Sequence, residues 1–570
     1  MRRMKRWAAL ALSAALCAGI LSGCGKEEAP SILPVSVGNG VTTFDPAYVT
    51  TDADNTIVLS LYEPLMRMTC DGDGNTTATE GMAKSVDVTE NFDGTVVYTF
   101  RLRSARWSDG TEVKAQDFVY AWQRLANPLT LSPNAALLSV VQGYDAVRNG
   151  GAPEELAVTA KNDTTLEVVL SGKYEWFLTG VCSSPATVPL RQDVVQSLKE
   201  KAQAASEEAA GEDAREDAGE DAAPLKWWYD PTLLVTNGAY HASAYQSGKT
   251  LELTRGEHYY GRVRNDGVRV FFADSPESAW ALYDGETVDL AYALPQEQVD
   301  AQIAHGQSLT PVLTTHTVLF NGAQYPLDDP SFRKALTLAV DRQAVAALAG
   351  SFASAATGLV PYGVPGSAEE DFRTEGGDLL NSSAEDYADN CEKAKQLLSG
   401  SGYDSGASSY VRNSALDYLY VDEGPAAAIA TALAEQWRSV LGLRIQPRAV
   451  TRAELSDALR TGEYALADVD MSASVNDAET FLAPFSSKSS LNAARYSSGA
   501  YDTLLKIIDS ASDPAARIAC LHDAEVLLLE DAAVSPLYTT GTLWKLREGW
   551  SGLCRDPRGW FSFAGVAAVS

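Results

Sequence analysis

Hydrophobic positions follow two periods along this chain. Val96, Tyr98, Phe100 and Leu102 recur at every second residue, and so do Leu166, Val168 and Leu170, which predicts strands with one buried face. From Asp329 the spacing changes to three and four. Asp329 can cap and Pro330 can open a helix carrying Phe332, Ala335, Leu336, Ala339 and Val340 on one side. A second helix, from about Pro425 to Leu441, places Ile429, Leu433, Trp437 and Val440 on one face, and Gly442 supplies its stop. The next stretch, Leu443-Arg444-Ile445-Gln446, alternates like a strand. Strands and helices interleave in this way with no repeat period, which predicts an α/β fold.

Two segments break the pattern. At the start, Arg2, Arg3, Lys5 and Arg6 precede an apolar run from Trp7 to Ile20, the layout of an export signal and too short for a comfortable membrane span. Leu21-Ser22-Gly23-Cys24 follows and resembles the bacterial lipobox, so Cys24 is expected to carry the lipid as residue one of the mature protein. The lipid is then the only membrane contact, and the body stays in water. The second exception is 199–223, almost entirely Ala, Glu, Asp and Gly, which reads as an acidic mobile surface insert.

Composition narrows the function. At 570 residues the chain has room for about three or four domains, and 45% apolar with 21% charged residues is the balance of a globular protein. The net charge is −30, and removing residues 1–23, with four positive and no negative charges, takes it to −34. Such a surface repels a phosphate backbone, so nucleic acid is not an expected partner. Cys70, Cys182, Cys391, Cys520 and Cys554 remain in the mature chain, far apart; no metal or redox spacing occurs, and one or two disulfides fit an exported protein without the sequence pairing them.

Catalytic signatures fail at specific residues. Gly248-Lys249-Thr250 ends like a phosphate loop, but Ser243 stands where its first glycine belongs. Ser331 and Lys334 have an acyl-serine spacing on the amphipathic helix, with no Lys-Thr-Gly. Asp71, Asp73 and Asn75 begin like a calcium loop, but Thr76 and Met82 occupy its glycine and glutamate positions, so a hairpin turn is the better reading. The five histidines are scattered. No enzyme, cofactor or metal is expected.

A series of motifs resembles the peptide-binding solute receptors of ABC importers, the oligopeptide and dipeptide type. The motifs are Phe44-Asp45-Pro46, Leu61-Tyr62-Glu63-Pro64-Leu65, Thr99-Phe100-Arg101-Leu102-Arg103, Arg106-Trp107-Ser108-Asp109-Gly110-Thr111 and Ala115-Gln116-Asp117-Phe118-Val119-Tyr120-Ala121-Trp122-Gln123-Arg124. Further on, Val235-Thr236-Asn237-Gly238-Ala239-Tyr240, Gly285-Glu286-Thr287-Val288-Asp289-Leu290, Phe332-Arg333-Lys334-Ala335-Leu336 with Asp341-Arg342, and Ala394-Lys395-Gln396-Leu397-Leu398 with Gly402-Tyr403 keep the family's order. Most of these residues read as scaffold, with Trp107 and Phe118 as core aromatics and Asp109-Gly110 as a hairpin turn.

The resemblance implies a two-lobed periplasmic-binding-protein type II fold with an additional subdomain on the first lobe. The expected layout is signal peptide 1–23; linker 24–31; lobe I from 32–66, 183–313 and 533–570; the additional subdomain 67–182; and lobe II 314–532. Crossing strands are expected near Thr314–Leu319 and Val534–Tyr538. It further implies a monomeric receptor, lipid-anchored on the extracytoplasmic face, that passes a peptide or similar polar solute to an ABC permease and its ATPase. A modified peptide, a cell-wall fragment, an oligosaccharide, or a sensing role with a signalling partner are the alternatives.

The ligand pocket departs from the resemblance. Aligning on Gly462-Glu463-Tyr464 and Phe481-Leu482 puts Asp468 at the family's arginine, Met471 at its tryptophan and Ser474 at the aspartate that pairs with the peptide's amine. An upstream pocket tryptophan falls at Arg452, and the tyrosine after Ser132-Pro133 is Asn134. A hydroxyl cannot pair with a desolvated ammonium as a carboxylate does. Asp468, Asp470 or Asp477 is then the substitute, and Asp468 and Asp470 share a side if they lie on a strand; the same acids also fit a very acidic surface. Thr50, Thr51 and Asn476 complete the candidate ligand residues.

Overall fold

The computed structural model describes residues 31–37, 41–71, 76–210, 227–367, 370–400, 416–473, 475–511 and 513–569. Cys24 and Ser474 lie outside them.

The first sheet has six strands in the order Lys545–Leu546, Leu290–Ala291, Ile32–Ser36, Gly267–Phe271, Thr250–Arg255 and Tyr240–Gln246. Ile32–Ser36 is central and parallel to both neighbours, and Leu33, Val35, Val268 and Val270 are fully buried. Gly248, at a φ of 67°, turns the chain between the last two strands, so the near phosphate loop is a hairpin turn. An antiparallel sheet of Ala83–Glu90, Val96–Leu102, Thr165–Leu170 and Val158–Asn162 packs its alternating apolar face into the same core. Helix Ala115–Ala126 is fully buried at Phe118 and Trp122 and contributes to that core. Together they make one lobe with an added layer.

The second lobe is built on the order Ala353–Ala355, Val534–Thr542, Thr310–Phe320, Leu466–Ser472, Leu416–Val421 and Ile445–Val450, with a hydrophobic cluster on each face. Thr310–Phe320 and Val534–Thr542 are antiparallel neighbours, paired from Leu319 with Val534 to Thr310 with Thr542. The segments 314–319 and 534–538 therefore lie within this sheet. The chain passes between lobes beyond Thr310 and Thr542.

Local signals explain the helix limits. Asp329 accepts from Ser331 N and caps Pro330–Leu338, which stops before Ala339 and Val340 because Asp341 caps a new helix, Arg342–Ala349. Helix Ala426–Leu441 ends on Gly442 in the left-handed conformation. Gln192–Ala210 is helical, so the first part of the acidic segment continues a helix; Ala, Gln, Glu and Lys favour helix even with little to bury. Residues 211–226 are outside the described set.

The family motifs do structural work. Asp45 caps Ala47 N, takes Arg124 through Nη1 at 2.8 Å and Nη2 at 2.5 Å, and accepts from Trp227 Nε1 at 2.7 Å. Cys70 and Cys554 form a disulfide that ties hairpin Met66–Cys70 and Thr76–Glu80 to the C-terminal segment, and Cys182, Cys391 and Cys520 are free thiols.

Candidate functional site

On lobe I the candidates sit where the chain enters helix Asp52–Leu61. Thr51 accepts from Asp54 N at 3.0 Å, and the Asp54 carboxylate gathers the backbone N–H groups of Thr42, Thr43, Thr50 and Thr51. Asn134 Nδ2 donates to Val49 O at 2.7 Å, and Ser132 Oγ to Ala47 O at 2.5 Å. Asn134 thus braces the Thr50–Thr51 turn from behind. The Thr51 hydroxyl is engaged in capping, while Thr50 is exposed.

On lobe II the register of Thr310–Phe320 against Leu466–Ser472 decides which side chains meet. Thr314, His316 and Val318 pair with Ser472, Asp470 and Asp468, so these six share one face. Thr314 and Ser472 hydroxyls are 2.8 Å apart. Asp470 Oδ1 lies 2.5 Å from His316 Nδ1, and the imidazole stacks on Tyr538 at 4.2 Å between centroids. Deeper on that face Asp468 receives a hydrogen bond from the buried Tyr418 phenol. Burial pushes the Asp468 carboxyl up to about 7, the charge of Asp470 adds to this, and His316 and Tyr418 pull it down. Asp468 thus lacks the partners its ionised form needs, a shortfall that an approaching cation would make good.

The other candidates are placed elsewhere. Met471 points to the opposite face and packs on the core that contains Leu313 and Leu319. Arg452 is exposed on helix Arg452–Thr461, donates to Glu423 Oε1 at 3.0 Å and feels the Asp470 charge. Asp477 is held by both Arg517 nitrogens, at 2.9 and 3.0 Å, and is not free to serve a ligand. Asn476 Oδ1 is buried without a protein partner. A groove of ≈ 1350 Å³ lies away from this face, on lobe I, lined by Asp45, Tyr48, Tyr120, Arg124, Trp227 and Trp228.

The profile of the bacterial extracellular solute-binding proteins, family 5 (middle region), matches residues 77–493. The chain belongs to this family. Among its relatives, the Escherichia coli K12 "Probable deoxycholate-binding periplasmic protein YgiS" is 28% identical over 505 residues, covering 87% of this chain and 85% of the relative. The periplasmic oligopeptide-binding protein OppA of the same strain is 27% identical over 541 residues, covering 93% of this chain and 91% of its own. The structure of the Escherichia coli murein tripeptide binding protein MppA superposes with a TM-score of 0.72 at 24% identity, covering 95% of this chain and 99% of that one, which fixes the two-lobed fold. Among the described residues, no helix is long and apolar enough to cross a membrane.

Family membership does not by itself reach His316, Tyr418 or Tyr538. The sequence offered His316 only as a lone histidine. Its value comes from register with Asp470, at a sequence separation of 154 residues, which no local pattern encodes.

Proposed function

We propose that this chain is a lipid-anchored, extracytoplasmic receptor that binds a peptide or similar polar solute between its lobes and delivers it to an ABC permease and its ATPase. Its activity is binding, not catalysis, and it works as a monomer tethered through Cys24. We take the lobe and subdomain limits from the layout expected from the sequence, except that the passages between lobes are set near Thr310 and Thr542, because Val534–Thr542 pairs within the lobe II sheet.

The observation that carries this reading is the acidic cluster at the lobe joint of a family 5 protein. Asp468 and Asp470 lie on the strand beside the two that lead to lobe I, and a cationic amine would supply the partner that the desolvated Asp468 carboxylate lacks. A solute that contacts both lobes stabilises only the closed arrangement, so its binding energy shifts the population toward the form a permease recognises. Backbone hydrogen bonds along an extended ligand supply affinity, and water-filled pockets tolerate its side chains. The test is native mass spectrometry of the purified protein, followed by calorimetric titration with a mixed peptide library and its N-acetylated counterpart. We expect co-purified solute and heat from the free-amine library alone; no bound solute and no heat from either would refute peptide reception.

A further inference from the structure

The lobes also touch away from the linking strands, and this contact is made entirely of protein. Val475 belongs to lobe II by sequence, yet its side chain is buried in the lobe I core, with 2% of its surface exposed. It is received at Gly180, in the helical turn Phe177–Val181. A Cβ at position 180 would stand 2.2 Å from Val475 Cγ1 and 2.7 Å from Cγ2, so a glycine is what leaves the hole open.

A polar contact flanks this knob and hole. Trp176 Nε1, on lobe I, donates to Glu479 Oε2, on lobe II, at 3.1 Å. Glu479 is set in place by Arg517, whose Nη2 reaches the same oxygen at 2.6 Å while the guanidinium grips Asp477. Asp477 Oδ1 in turn accepts from Glu479 N at 2.9 Å, so the lobe II side of the contact is held by partners of its own lobe. The lobe I jaw is braced as well. Arg558 donates to Gly180 O at 3.3 Å and to Ser183 Oγ at 2.9 Å, and Asp556 holds its other edge.

We propose that Val475 with Gly180, and Trp176 with Glu479, form a clasp that closes the lobes without a ligand, so that the solute-free protein already populates the closed form. This goes beyond the receptor reading, in which the solute supplies the closing energy. Neither the apolar burial of Val475 nor the hydrogen bond to Glu479 needs a third molecule. A hydrogen bond to a charged acceptor shifts an equilibrium by roughly tenfold or more. Because Val475 directly follows Ser474, a clasp here bears on the segment aligned with the family's amine partner. A solute must wait for the clasp to open, but meets lobes whose ordering cost is already lowered.

The test uses the full chain, stripped of solute by unfolding and refolding, with spin labels placed by bio-orthogonal chemistry at Lys161 on lobe I and Arg438 on lobe II. Distance distributions from pulsed electron resonance then count closed and open forms. We expect a closed component in the parent, a closed-to-open ratio about tenfold lower in Trp176→Phe, and loss of that component in Gly180→Ala. Adding Val475→Gly to Gly180→Ala removes the clash and should return part of the closed component. Trp176→Phe keeps the test decisive if Gly180→Ala folds poorly. A parent that is wholly open without solute, or a ratio in Trp176→Phe within twofold of the parent, overturns the clasp. Either result is independent of whether peptides bind, since no peptide is present.

Discussion

Asp45 and Asp468 are both carboxylates drawn into the protein, and they are treated in opposite ways. Asp45 is fully buried and meets a bidentate arginine, an indole N–H and a backbone N–H. Asp468 meets one phenol and a second acid two residues along its strand, with a histidine beyond. A fully paired acid organises the fold, whereas a buried acid short of partners for its charged form organises the protein for something that arrives later.

The strongest way to break this contrast is to unpair Asp45. Arg124→Ala leaves a buried carboxylate without its cation, and the expected loss is about 3–5 kcal/mol of stability in a denaturant titration. A loss under about 1 kcal/mol would put the pair among ordinary surface contacts. The corresponding change on the other side acts on binding. Asp468→Asn and Asp470→Asn should leave folding intact, and at least one should weaken an amine-bearing solute by about a hundredfold or more. If both bind within about threefold of the parent, the amine is held elsewhere.

Acidity sharpens the comparison. The Asp468 pKa is raised to about 7, above the roughly 3.9 of an unfolded chain, so the folded protein holds this proton more tightly. Stability from this site is therefore greatest at low pH and falls as pH rises through about 7. Binding of a cation runs the other way: affinity should drop by up to about tenfold per pH unit below 7, as protonation removes the charge the amine needs. Thermal melts and titrations between pH 5 and 8 should show opposite slopes, and Asp468→Asn should flatten both.

Much of the scaffold was legible because it is local. The alternation at Val96–Leu102, the caps at Asp329 and Gly442 and the family motifs all lie within short windows. What was illegible depends on long-range pairing. Cys70 meets Cys554 from a separation of 484 residues, and Asp45 meets Arg124 through the packing of a helix on a loop. Alignment offered Asn134, Met471 and Arg452 as pocket residues, but the structure gives Asn134 a bracing role behind Thr50, turns Met471 to the opposite face and pairs Arg452 with Glu423 at the surface. Conversely, the strand spacing of Asp468 and Asp470 did place them on one side, and only the register added His316.

The smallest expected effect separates acids by place from acids by composition. Residues 205–222 carry a run of carboxylates from Glu207 to Asp221, chemically the same groups as those at the candidate site. In the helix leading into them, Val195 and Leu198 are buried but 199–204 are not, and the Ala, Glu, Asp and Gly composition of 205–222 offers little apolar surface to bury. At physiological ionic strength the Debye length is about 8 Å, so charge that acts only through overall acidity is screened, unlike a carboxylate in contact with its ligand. Deleting 205–222 should therefore shift the melting temperature by less than about 1 °C and leave amine-solute affinity within about twofold. A drop in affinity comparable to that of Asp470→Asn would mean that bulk acidity attracts the ligand, and that the place of Asp468 and Asp470 is not what distinguishes them from the rest of this acidic surface.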